Sequence, residues 1–214
     1  MTGSFKSKLI LLFFLSGFCN LVYEIVWTRM FNLVFGVTVF AVSAVLASFM
    51  FGLAFGGFVF GRVVEKSRNR IALFSLIHGV IFLSTVAMVL VFPVFQALYL
   101  YLYAAFHPGF YAFRIIIFFL SLAFMLVPTS LMGATFPVAA RLVAVQDERI
   151  GKDVGLIYSV NTLGSVFGCV VTVFLLLGHM GMNSTVLLAA GIDLLIGCAA
   201  FVALKDPVQA GRAS

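Results

Sequence analysis

The feature that most constrains this chain is a succession of long apolar stretches, at roughly residues 9–28, 38–61, 71–93, 113–143, 154–178 and 183–204. A helix rises about 1.5 Å per residue, so about 20 apolar residues cross the ~30 Å hydrocarbon layer of a bilayer. The expectation is an all-α, polytopic membrane protein, a single domain over residues 1–214 with six transmembrane helices. Only 9% of residues are charged and 64% are hydrophobic, with a mean hydropathy of +1.22. Soluble domains carry about 25% charge, so an ordinary soluble fold is excluded. The stretches also lack the period-2 alternation of a membrane β-barrel.

The N-terminus, "MTGSFKSKLILLFFLSGF", is basic and then apolar, like a signal peptide. The apolar run continues through Val26 with no small-residue cleavage site at its end, so a signal anchor that doubles as the first span fits better. The net charge of +6 is spread over the ends of the apolar runs, with no basic patch for nucleic acid. With the N-terminus inside, eleven basic residues fall on the cytoplasmic side: Lys6, Lys8, Arg62, Lys66, Arg68, Arg70, Arg141, Arg149, Lys152, Lys205 and Arg212. Two, Arg29 and Arg114, fall outside. Positive charge favours the cytoplasmic side, so both termini are expected there.

Phe92 to Phe113 is rich in Tyr and Phe and has no charge. Aromatic rings favour the membrane interface. The stretch reads as an amphipathic or re-entrant element at the outer surface, or else as a third span that runs long and tilts. Cys19, Cys169 and Cys198 all lie within spans and form no CxxC, so they read as small, buried, reduced residues.

The informative residues are the polar ones inside the spans. Ser16, Asn20, Glu24 and Thr28 recur every four residues and make one slowly drifting stripe on a helix. A carboxylate in a bilayer faces a partner or water. Glu24 stands about 22 Å along the first span, where Arg29 and outer water are both in reach. It is a candidate proton or cation ligand, or a packing lock. Asp193, in "LLAAGIDLLIGCAA", lies among apolar neighbours and must carry its proton or meet a partner. Asn161 and His78 are the candidates. His78 is the only histidine within a span, and imidazole titrates near neutral pH. Glu24, His78 and Asp193 together suggest a proton or cation relay, with Asn20 and Asn161 beside them.

Gly52 and Gly56, Gly57 and Gly61, and Gly164 and Gly168 have the GxxxG spacing that lets helix backbones approach. Pro128 and Pro137 interrupt the fourth span, where Thr129, Ser130 and Thr135 can satisfy the freed carbonyls. The basic loop "GRVVEKSRNR" offers Arg62 and Glu65 for a gate or interface, with Arg29 and Arg141 as further members. No phosphate-binding loop, dinucleotide fingerprint, nucleophile elbow or HExxH occurs, so no catalytic residue, cofactor or metal is expected.

A weak repeat joins "AVSAVLASFMFG" to "IYSVNTLGSVFG". Ser43 matches Ser159, and Phe51–Gly52 matches Phe167–Gly168, at an offset of 116. A three-helix unit repeated once inverts its topology, as in each half of a major-facilitator carrier.

The stretch "FFLSGFCNLVYEIVWTRMFNLVFGVTVFAVSAVLASFMFGLAFGGFVFGR", with "PTSLMGATFPVAARL" and "VGLIYSVNTLGSVFGCVV", resembles the membrane domain of the bacterial spermidine synthase-like proteins. That family joins a major-facilitator-like module to a soluble aminopropyltransferase-like domain. The chain ends at Ser214, shortly after the last span, so a non-enzymatic module is expected. The resemblance implies the bacterial inner membrane, one half of a major-facilitator fold, and polyamine or another small cation as cargo. It also implies a homodimer or a larger membrane complex, and a separately encoded synthase-like partner. "GRVVEK" follows the facilitator loop pattern with Glu65 in place of the usual aspartate, and His78 and Asp193 stand where relatives are expected to carry Glu and Asn. The alternative is an accessory subunit that anchors or stabilises a partner.

Overall fold

The computed structural model describes residues 3–67, 69–106, 109–143 and 150–204. Four of the basic residues in the topology count, Arg68, Arg149, Lys205 and Arg212, lie outside them. All the regular structure among the described residues is helical: α1 (Gly3–Phe35), α2 (Val39–Lys66), α3 (Arg70–Phe106), α4 (Phe110–Val143), α5 (Ile150–Val171) and α6 (Leu177–Ala203). A π-helical turn, Thr172–Leu176, joins the last two.

Five stretches are long and apolar enough to cross a membrane. The last of these, Gly151–Ala203, is 53 residues long and contains both of the final two spans expected from the sequence. Its helix breaks at Gly181, where φ is 73° and ψ is 177°. That left-handed backbone is open to glycine at little cost. Beyond it α6 packs on α3 and α1, whereas α5 packs on α1. The outer faces of the helices are apolar, with Phe51, Leu83, Phe119, Leu163, Phe174 and Leu195 exposed. A surface solvated by lipid has this character, and the chain is a multi-pass helical membrane protein.

Residues 92–106 follow the second of the two readings, a third span that runs long, and 110–113 open α4; 107–108 lie outside the described residues. Helix α3 continues through Pro93 to Phe106. Aromatic burial explains the extra turns. Phe95 stands 5.3 Å from Phe31 and 4.6 Å from Phe124, centroid to centroid, and Tyr99 stands 4.9 Å from Phe35. Phe31, Phe35, Phe95 and Tyr99 are buried. Helix α4 also runs through Pro128 and Pro137 without a break. Thr129 Oγ1 donates to the Met125 carbonyl at 2.7 Å, and Thr135 Oγ1 to that of Met132 at 2.7 Å. Ser130 Oγ is buried without a hydrogen-bond partner among the described residues.

Two seams organise the bundle: α2 lies along α4, and α1 along α5. A methyl on Gly56 would overlap the Ser130 carbonyl, and one on Gly52 the Thr129 hydroxyl. In the other seam a methyl on Gly164 would overlap the Phe14 carbonyl, and one on Gly168 would crowd Phe18. Small residues let backbones meet this closely. Gly57 and Gly61 differ. A methyl on Gly57 would sit at an ordinary 3.6 Å from the Gly133 carbonyl, and one on Gly61 would meet nothing within 4 Å. Gly61 lies on the open side of α2, so spacing alone misassigned it.

The two seams mirror one another. Gly17 abuts the Asn161 carbonyl as Gly133 abuts that of Leu53, and Gly164 meets Phe14 as Gly56 meets Ser130. These pairs relate α1 to α4 by 116 residues and α2 to α5 by 108. The repeat in contacts is therefore eight residues out of register with the match of α2 to α5 found in the sequence. One ion pair closes each seam: Lys6 Nζ to Asp153 Oδ1 at 2.6 Å, and an Arg141 nitrogen to Glu65 Oε1 at 2.6 Å. The Arg141–Glu65 pair is exposed and the Lys6–Asp153 pair half-exposed, and ion pairs open to solvent contribute about 0–1 kcal/mol each, so backbone contact holds the seams.

The seams predict that Gly56→Leu and Gly164→Leu each destabilise the protein by about 1–3 kcal/mol or more through overpacking. Gly61→Leu should be neutral. Thermal midpoints in detergent check this, and equal midpoints for all three variants would contradict the packing described.

Candidate functional site

Asp193 is the hub of the bundle interior. It sits on α6 and is 1% exposed. Tyr23 Oη, on α1, donates to Asp193 Oδ2 at 2.6 Å. His78 Nδ1, on α3, lies 2.8 Å from Asp193 Oδ1. Tyr23 and His78 are both fully buried. Three helices thus converge on one carboxyl group, and both of its oxygens are engaged. The opposite edge of His78 differs: Nε2 is buried with no hydrogen-bond partner among the described residues.

The surroundings are tightly packed. The Phe74 ring stands edge-on to the imidazole, 4.6 Å between centroids. Trp27, the chain's single tryptophan, stacks on Tyr23 at 5.1 Å. A turn below Tyr23, Cys19 Sγ donates to the Ala189 carbonyl at 3.5 Å. A β-carbon on Gly197 would come within 3.0 Å of the Ser75 carbonyl, so glycine lets α6 approach α3 at the level of the cluster. In an apolar interior a carboxyl group needs this degree of pairing, because leaving it unpaired costs several kcal/mol.

The structure brings together some of the residues singled out in the sequence and separates others. His78 and Asp193 meet. Asn161 does not join them: its Nδ2 donates to the Phe13 carbonyl at 3.1 Å, in the α1–α5 seam. It meets α1 at Phe13 and Gly17, whereas Asp193 meets α1 at Tyr23, so it ties backbone rather than carboxylate. Glu24 does not join them either. It is half-buried and makes no hydrogen bond or ion pair among the described residues, and Asn20 is likewise half-buried. A helix turns about 100° per residue, so Glu24 points away from the face on which Tyr23 reaches Asp193. Arg29 is exposed and does not pair with Glu24. Of the loop residues, Arg62 lies over the Phe58 ring at 4.1 Å, while Glu65 and Arg141 pair across α2 and α4. Cys19 is buried and Cys169 half-buried as free thiols, but Cys198 is exposed on the outer face of α6.

Sequence inspection missed the role of Tyr23, the residue before Glu24 in the chain. Its signal was present, since a tyrosine in a span needs a partner for its hydroxyl. Gly17 and Gly133 were also missed. They stand 116 residues apart and make equivalent contacts.

No protein-family model, curated protein or solved structure matches this chain.

Removing the hub should be costly. Asp193→Ala strands the Tyr23 hydroxyl and the His78 ring and should destabilise the protein by about 3–5 kcal/mol. Tyr23→Phe removes one hydrogen bond to a charged or polar group and should cost about 1–3 kcal/mol. Unfolding of the purified protein in mixed detergent–denaturant micelles measures both. A smaller loss for Asp193→Ala than for Tyr23→Phe would contradict the hub.

Proposed function

We propose that the chain is a six-crossing membrane module built like one half of a carrier, and that a second copy completes it. The observation that carries this reading is the mirrored helix pairing. Exchanging the first three helices for the last three turns the α2–α4 seam into the α1–α5 seam and the α1–α6 contact into the α3–α4 contact. Inverted three-plus-three repeats build each half of major-facilitator carriers, and two such halves make a working transporter. The sixth crossing is supported by length. A 53-residue stretch spans about 80 Å as one helix, well over twice the ~30 Å of hydrocarbon. A return at Gly181 accommodates it as two crossings.

On this reading both termini are cytoplasmic, in a bacterial inner membrane, and the cargo is a small cation, polyamines included. Glu24 and Asn20 are half-buried on α1 and supply a carboxylate and an amide for it. The module is non-enzymatic, in line with the resemblance to the membrane part of spermidine synthase-like proteins. An accessory subunit is the second reading. It draws on the continuous apolar face of α5, where Leu163, Val166, Phe167 and Val170 are exposed to lipid or to a partner helix.

Purification from the native host in mild detergent separates the two, by mass and composition. A homodimer is expected, with polyamine uptake in proteoliposomes that is strongly reduced by Glu24→Gln. A fixed complex with other subunits, and tolerance of Glu24→Gln, would make the protein an accessory subunit instead.

A further inference from the structure

The hydrogen-bond pattern around Asp193 allows the protons of the buried cluster to be counted. Two arrangements are electrically neutral. In the first, Asp193 is ionised and His78 carries hydrogen on both ring nitrogens. In the second, the carboxyl keeps its proton on Oδ1 and donates to Nδ1, so the ring hydrogen is on Nε2. Both satisfy the 2.8 Å contact, and Tyr23 donates to Oδ2 in either case. His78 Nε2 bears a hydrogen in both, and it is the atom with no partner among the described residues. Loss of that hydrogen leaves one uncompensated negative charge among apolar side chains.

We propose that the Tyr23–Asp193–His78 cluster is a proton-binding site, that His78 Nε2 is the atom that takes up and releases the proton, and that its occupancy holds α1 against α3 and α6. The proposal concerns a different site from the Glu24 stripe and stands apart from the carrier reading. In the release step the Nε2–H bond breaks, its electron pair stays on Nε2, and a water molecule accepts the proton as hydronium; where the carboxyl held its proton, that proton passes from Oδ1 to Nδ1, so either arrangement ends as a carboxylate beside a neutral imidazole. Water must first reach Nε2. In the closed bundle His78 is fully buried and the ring of fully buried Phe74 packs against it. Release is therefore coupled to parting of α3 from α6, and uptake to their closure. Tyr23 passes the change to α1, where Trp27 stacks on its ring.

Few other groups can interfere. Cys19 on α1 is the other titratable side chain at the cluster, held by the Ala189 carbonyl. Glu24, next to Tyr23 in the chain, makes no hydrogen bond or ion pair with it among the described residues. The packed stretches 39–61 of α2, 115–140 of α4 and 154–178 of α5 contain no Asp, Glu, Lys, Arg or His.

The test uses the full-length protein in lipid nanodiscs. Nitrogen-15 NMR of the histidine rings reads the hydrogen on Nε2 directly, and Trp27 emission reads opening of the interior. As pH rises, the wild-type protein should lose the Nε2 hydrogen and show a red shift of Trp27 emission over the same range. His78→Gln keeps an amide that can donate to Asp193 but cannot titrate, so its Trp27 emission should stay flat. Tyr23→Phe should keep the NMR transition and lose most of its echo at Trp27. A Trp27 shift with an unchanged midpoint in His78→Gln would overturn the proposal. So would an Nε2 that bears no hydrogen while Trp27 is still buried, or one that stays protonated from about pH 5 to pH 8, the range in which histidine switches operate. The two wild-type measurements decide the matter even if the variants fail to fold.

Discussion

Everything in this bundle depends on backbones that touch. At the α2–α4 and α1–α5 seams, glycines bring one helix against the carbonyls of the next, with no room for a β-carbon. In lipid no hydrophobic drive pulls helices together, because the tails outside are as apolar as leucine. Close packing and buried polar contacts must supply the association instead. The seams supply the first, with Asn161 and Ser165 adding side-chain bonds to the Phe13 and Gly17 carbonyls. The Asp193 hub supplies the second and draws α1, α3 and α6 into one interior.

These two devices divide the work. The seams join helix pairs that run side by side and are far apart in sequence. They leave α3 and α6 to be placed by the aromatic cluster and by Asp193. A carboxyl group hydrogen-bonded to both Tyr23 and His78 fixes the depth and rotation of three helices at once. That is a strong specification from one residue. It also makes this part of the interior sensitive to a single proton, since the cluster is neutral in one state of His78 and charged in the other.

Much of the architecture was legible in the sequence because the bilayer leaves few choices. Apolar runs of spanning length, the scarcity of charge and the glycine spacings in α2 and α5 all follow from the cost of unsatisfied polar groups in lipid. Other features were hidden for physical reasons. GxxxG spacing marks a small-residue face but not which face finds a neighbour, so Gly61 looked like Gly56 and only one is packed. The Tyr-rich run after Pro93 fitted either an interfacial element or a long third span, and hydropathy could not choose; Phe31 and Phe35 on α1 bury Phe95 and Tyr99 and prolong α3. The match of α2 to α5 at an offset of 116 followed like side chains, whereas the contacts follow backbone approach and fall eight residues away. At the site, the need of Asp193 for a partner pointed to His78 correctly and to Asn161 wrongly. Sequence spacing across separate helices carries no information on depth.

The most direct test of this account is the distance between the Asp193 carboxyl carbon and His78 Nδ1 in lipid bilayers, measured by carbon–nitrogen dipolar recoupling in solid-state NMR. A hydrogen bond of 2.8 Å between Oδ1 and Nδ1 predicts a carbon–nitrogen separation of about 4 Å or less, with clear dephasing. Absence of measurable coupling would place the two groups apart and contradict the convergence of α1, α3 and α6 on Asp193.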